Sequence, residues 1–312
     1  MSPERLYEDE RYRLTLFRGR GDGRRLAVGF EHGRKDADEF MPASFPRYAQ
    51  RLGIDALIVQ TARRDWYISD RSQALSEALR HHTRAWPEVV ATGFSMGGYA
   101  VLLYSADCHA RRVLAVSPQY CIDPAVAPFD PGRRRKFEAI GQPMPRPETR
   151  GDPGVAGLVL YDPAIRVDRI HADMITEAFP NLLRLALPYG GHPATSVIGV
   201  AGGIGGIAEM VVEDRLDPAA IREMHRANRR RAGSYRLNLA RAALARHPRP
   251  AIEELRRLAQ SAAPHLRFEA GMALLDHDDD EAAELLMTLF EELPGEPPPT
   301  WRRQLERALR KF

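Results

Sequence analysis

Ala91-Thr92-Gly93-Phe94-Ser95-Met96-Gly97-Gly98-Tyr99-Ala100 is the stretch on which the reading of this chain turns. The apolar run 89–94 predicts a strand, and the small residues of 96–105 predict a helix suited to packing on a sheet. Ser95 stands between Gly93 and Gly97, the G-x-S-x-G pattern of a sharp strand-to-helix turn with serine at its tip. In such a turn the serine backbone is strained, and the flanking positions leave no room for Cβ atoms where strand and helix nearly touch. Five residues are a weak signal by themselves, so their context decides.

Working outward, residues 12–17 alternate polar and apolar and read as a strand, with a turn at 19–23 and a second short strand at 26–30. That strand runs into the polar loop Glu31-His32-Gly33-Arg34. A short helix follows at 46–52, then the apolar run 55–60, of the kind buried on both faces of a parallel sheet. Ser69 or Asp70 caps a predicted helix reaching about residue 86, with Leu75, Leu79 and His82 on one face. Beyond the Ser95 turn, strands are predicted at 112–116, 157–162 and 182–187, and a helix at 165–178. Strands alternating with helices imply βαβ units and a mostly parallel sheet.

Between residues 119 and 156 the periodicity fails. This segment is rich in proline and glycine and carries the charge run Arg133-Arg134-Arg135-Lys136, so it reads as an insertion or cap with one short helix at about 131–140. The run hints at an anionic substrate, although such runs are usually solvated faces. The Gly-rich segment Gly202-Gly203-Ile204-Gly205-Gly206 neither follows a strand nor precedes a suitably spaced acid, and reads as a connector rather than a dinucleotide loop.

From residue 214 onward the pattern is helical. Ala243-Leu244-Ala245-Arg246-His247, followed by Glu254 and Leu255, has a counterpart in Ala273-Leu274-Leu275-Asp276-His277, followed by Glu284 and Leu285. The pairing is similar to tetratricopeptide-type α-hairpin repeats, with a plain helical bundle as the alternative. The expected organisation is therefore a sheet domain over 1–213, with its insertion at about 119–156, followed by an all-α domain over 214–312.

Composition narrows the functional classes. A net charge of +3 over 312 residues argues neither for nucleic acid nor for a membrane surface. Lys35, Lys136 and Lys311 are the only lysines among 45 basic residues, a skew that fits a GC-rich coding bias. Cys108 and Cys121 form neither a disulfide framework nor a metal-ligand spacing, and no cofactor signal is present. The charged start and the absence of a long apolar run point to a cytoplasmic location without a membrane span.

The order of the polar residues gives the chemistry. Ser95 follows one predicted strand, Asp162 ends a later one, and His192 lies just past the last, in Pro188-Tyr189-Gly190-Gly191-His192. Serine, then acid, then histidine is the chain order of an α/β-hydrolase triad, and active sites of open α/β sheets lie at the carboxyl ends of the strands. From about residue 12 to 196 the chain resembles the α/β-hydrolase superfamily. That resemblance implies a central sheet with the elbow after its fifth strand, the acid after the seventh and the histidine after the eighth. To match this count, strand 12–17 has to stand for the first two strands.

The chemistry assigns roles. Ser95 is the nucleophile, His192 the base that takes its proton, and Asp162 the acid that orients the histidine, with Asp168 in reserve. An oxyanion needs two donors. One is the backbone N–H of Met96, and the other belongs to the loop at His32-Gly33, a dipeptide similar to the HG start of that loop in the superfamily. Trp66 and Tyr67 either wall a substrate pocket or pack the core, and Cys121 reads as a buried apolar residue. The function these residues imply is a serine hydrolase acting on an ester or thioester through an acyl-enzyme. The alternatives are an acyltransferase with the same triad, or an interaction protein in which the C-terminal helices bind a protein partner.

Overall fold

The computed structural model describes residues 3–34, 38–261, 263–277 and 281–310. Eight strands, β1 (Glu4–Glu8), β2 (Tyr12–Phe17), β3 (Arg25–Phe30), β4 (Asp55–Thr61), β5 (Glu88–Phe94), β6 (Ala110–Val116), β7 (Ala156–Tyr161) and β8 (Leu182–Ala186), form one sheet. Their order is β1-β2-β4-β3-β5-β6-β7-β8. β2 runs antiparallel to β1 and β4, and all other neighbours are parallel. The N-terminal edge corrects the expectation that 12–17 serves for two strands. β1 is a separate edge strand whose residues are mostly exposed, so it lacks the apolar alternation by which buried strands are recognised.

Five helices accompany the strands: α1 (Arg47–Leu52), α2 (Ser72–Thr83), α3 (Met96–Leu103), α4 (Arg134–Ile140) and α5 (Arg166–Ala178). Eight follow them: α6 (Ser196–Gly199), α7 (Ile204–Val212), α8 (Pro218–Asn228), α9 (Gly233–Ala243), α10 (Pro248–Ala259), α11 (Pro264–Leu275), α12 (Ala282–Glu292) and α13 (Pro299–Leu309).

Because strand side chains alternate between faces, the central strands feed two cores at once. Leu57, Val59, Val89, Ala91, Val113, Ala115 and Val159 join α2, α3 and α5 on one face. Ala56, Ile58, Val90, Leu114, Val116, Leu158 and Leu160 join α1, α6, α7 and α8 on the other. This explains the continuous apolar runs of β4–β7, since both faces of these strands are covered. A third core over Leu237–Ala308 is drawn from α9 to α13.

The glycine-rich connector is closely packed. An added Cβ on Gly203 would meet Met224 and Ile198, and one on Gly205 would meet Arg51, while Ile204 begins α7. No described helix is long and apolar enough to cross a membrane.

Candidate active site

The turn after β5 has the predicted geometry. Ser95 adopts φ 50° and ψ −114°, a strained conformation for a residue with a side chain. A Cβ on Gly93 would fall 2.2 Å from the Gly97 carbonyl oxygen, and one on Gly97 would fall 2.5 Å from that of Phe30. Any side chain at either position would push strand and helix apart. Ser95 N–H donates to the Val116 carbonyl, tying the tip of the turn to the neighbouring strand.

His192 reaches Ser95 from the loop after β8. Its Nε2 lies 2.9 Å from Ser95 Oγ, and its Nδ1 lies 2.9 Å from Asp168 Oδ2. Asp168 is buried in the first turn of α5. A carboxylate on Nδ1 fixes the proton there and leaves Nε2 as an acceptor facing the serine hydroxyl. In this arrangement the imidazole can take a proton from an attacking hydroxyl and return it to a leaving group.

Asp162, the acid expected to orient the histidine, does something else. It is 1% exposed and accepts three backbone N–H groups: Ala164 at 2.9 Å, Tyr189 at 2.9 Å and Gly191 at 2.8 Å. Those bonds use its oxygens to shape the loop that carries His192, and Asp168 takes the place on the imidazole. A sequence signal for this exists. Asp168, His171, Ala172 and Ile175 are the buried residues of α5, so their 3–4 spacing forms the inward stripe of the helix. Two polar residues on such a stripe need partners.

His171 has its own partners. Tyr120 N–H donates to Nδ1, and Nε2 lies 3.1 Å from Asp130 Oδ2, binding the 119–156 insertion to α5. Burial works against the Asp130 charge, but the hydrogen bond from His171 and the charge of Arg133 outweigh it and hold the carboxyl below its usual range.

Segment 30–33 lies beside the first turn of α3. A Cβ on Gly33 would meet the side chains of Arg64 and Met96, which places Gly33 beside the first residue of α3. The first N–H groups of a helix have no partner inside it and are available as donors. Tyr67 supports this segment, its hydroxyl 3.1 Å from the Glu31 carbonyl and 3.0 Å from that of Val59. Trp66 and Tyr67 are both buried, so of the two roles open to them the structure shows packing.

The remaining candidates are structural. Burial raises the Cys121 thiol to about 11, which keeps it protonated and unreactive at neutral pH. Arg133 pairs with Asp130 and Arg134 with Glu138. Lys136 is half-buried, and desolvation together with the charges of Arg64 and Arg133 lowers it to about 8.

Several residues at the site carried no sequence motif. Ser117, at φ 45°, accepts the Ala194 N–H through its hydroxyl at 2.9 Å. Gln119, completely buried, has its Oε1 3.3 Å from Ser95 Oγ. The C-terminal helices reach the histidine loop as well. Asn238 Nδ2 donates to the Tyr189 carbonyl at 3.2 Å, and His225 Nε2 to that of Pro188 at 3.0 Å. Burial lowers the His225 pKa, which favours the neutral ring that makes this bond. Tyr235 packs edge-on against Tyr189.

A mostly parallel eight-stranded sheet thus carries serine on a strained elbow after β5 and histidine after β8, both at the carboxyl edge. Such a sheet, flanked by helices and followed by further helices, fits an α/β-hydrolase-like fold. No protein-family model matches the chain, and neither does any curated protein. Solved structures similar to it include Est1E from Butyrivibrio proteoclasticus, with TM-score 0.47 and 15% identity over 70% of this chain and 100% of that one. The capsule O-acetyltransferase of Neisseria meningitidis serogroup A has TM-score 0.46 and 11% identity over 61% of this chain and 89% of that one. The esterase Est2 from Thermogutta terrifontis has TM-score 0.44 and 14% identity over 70% of this chain and 94% of that one. The insertion between β6 and β7 lies on α2, α3 and α5. Tyr99 donates to the Pro145 carbonyl, and Arg150 to Ser76 Oγ.

Proposed function

We propose that this chain is a serine hydrolase that cleaves an ester through an acyl-enzyme. The observation that carries the reading is the continuous line Ser95 Oγ, His192 Nε2, His192 Nδ1, Asp168 Oδ2, with both contacts at 2.9 Å. Ser95 Oγ attacks the carbonyl carbon as His192 takes its proton, and Asp168 stabilises the imidazolium that forms. The C–O bond to the leaving group then breaks as His192 returns the proton to that oxygen. The oxyanion is met by the backbone N–H of Met96 and by a donor from the segment holding His32 and Gly33. Residues 1–213 form the hydrolase unit, with the 119–156 insertion in the position of a cap. Residues 214–312 add further helices, of which α8 and α9 brace the His192 loop.

A fluorophosphonate tests this directly, because a serine activated by a neighbouring base displaces its fluoride and is phosphonylated. Wild-type protein is expected to be labelled and the Ser95→Ala variant not, with turnover of an activated ester reduced about 10⁴-fold or more. Labelling that persists in Ser95→Ala overturns the assignment.

A further inference from the structure

Two acceptors converge on Ser95 Oγ, although a serine hydroxyl has only one hydrogen. His192 Nε2 is 2.9 Å away and Gln119 Oε1 is 3.3 Å away. The orientation of the Gln119 amide follows from its other end. Gln119 Nε2 donates to the Ser117 carbonyl at 3.0 Å, a group that can only accept, so the oxygen is the atom turned toward Ser95. Gln119 is 0% exposed, which denies its carbonyl the bulk water that would otherwise satisfy it. In the resting enzyme one proton serves both acceptors. Once Ser95 is acylated, Oγ has no hydrogen, and both acceptors lose their donor in the same step. Leaving buried acceptors unpaired costs free energy.

Resting on the hydrolase reading above, we propose that Gln119 Oε1 and His192 Nε2 together seat the deacylating water, and that this seat selects water over alcohols as the acyl acceptor. A water molecule brings two hydrogens and satisfies both acceptors, whereas an alcohol or thiol brings one and leaves one acceptor unpaired. In the step itself the water oxygen bonds to the acyl carbonyl carbon while its proton passes to His192 Nε2. The C–Oγ bond then breaks, the proton moves from His192 to Ser95 Oγ, and the carboxylic acid leaves. The second hydrogen stays bonded to the water oxygen and donates a hydrogen bond to Gln119 Oε1, fixing the oxygen lone pair toward the carbonyl carbon. Acylation needs no such water, so the contribution of Gln119 falls on deacylation.

Gln119→Met keeps the side-chain length and removes the acceptor. With p-nitrophenyl acetate as substrate, kcat and KM are expected to fall together about 10-fold or more while kcat/KM stays within about threefold, the signature of a slowed deacylation. Acetyl-Ser95 is then expected to accumulate and be visible in the intact-protein mass. With methanol added, the ratio of methyl acetate to acetate is expected to rise about 10-fold or more over wild type, because methanol never used the lost acceptor. A kcat/KM that falls as far as kcat overturns the proposal, and so does an unchanged product ratio in a variant whose Ser95 still becomes acetylated. Both results leave the hydrolase reading intact. Failure of wild-type Ser95 to acetylate at all overturns the proposal and the reading together.

Discussion

The turn that carries Ser95 is built from its own neighbours, while the loop that carries His192, 2.9 Å away, is built from the rest of the chain. At the elbow, the residue types that matter lie within a few positions of the serine: Gly93 lets β5 and α3 meet, Gly97 lets α3 approach the Phe30 carbonyl, and Met96 begins α3. The histidine loop takes bonds from Asp162 after β7, Ser117 after β6, Asn238 on α9 and His225 on α8. A strained local turn needs particular residue types at fixed offsets, so it leaves a motif. A loop held by distant partners needs only that something accept or donate at each point, and many residue types can do that.

This difference predicts how each half breaks. The largest effect separates the two acids that bear on the loop. Asp168→Asn is expected to lower kcat about 10⁴-fold with little change in Tm, because an amide on Nδ1 favours the wrong tautomer. Asp162→Asn should mainly cost stability, about 2–3 kcal/mol, since the carboxylate that accepts three buried N–H groups is gone. Kinetics and thermal unfolding of the two variants check this, and the reverse pattern would return Asp162 to the triad.

On the elbow side, Gly93→Ala forces a methyl into backbone 2.2 Å away. The expected cost is about 3 kcal/mol, roughly 6–12 °C in Tm, with activity lost as the turn opens. A variant with unchanged Tm would show that the close approach is not needed. The smallest effect is expected at the periphery of the loop. Asn238→Ala removes one hydrogen bond to the Tyr189 carbonyl, worth about 1 kcal/mol, and should lower kcat about threefold while the elbow still reacts with a fluorophosphonate at the wild-type rate. A loss approaching that of Asp168→Asn would mean that the C-terminal helices hold the histidine in place rather than brace it.

Much of the fold was legible because burial writes itself into residue type. β4 to β7 show as apolar runs since helices cover both faces of them, and the elbow shows through its glycines. β1 was not legible, because an exposed edge strand needs no apolar alternation. The acid was ambiguous for a different reason. Asp162 stands at the strand end where an acid is expected, and its buried hydrogen bonds are as demanding as a triad contact. Asp168 lies six positions later, on the inward stripe of α5, where its sequence context is that of an ordinary helix. Gln119 opens an irregular segment and matches no pattern, so its contact with Ser95 could be found only in space.

By itself, then, the sequence determined the alternation of strands and helices, the strand-to-helix turn at Ser95 and the place of His192 just past the last strand, since each depends on neighbours within a few residues. Only the tertiary structure decided which carboxylate meets His192, what shapes its loop, and that a second acceptor faces Ser95. Those choices depend on which distant groups share a 3 Å neighbourhood, and hydrogen bonds between groups 24 to 97 positions apart leave no periodic trace along the chain.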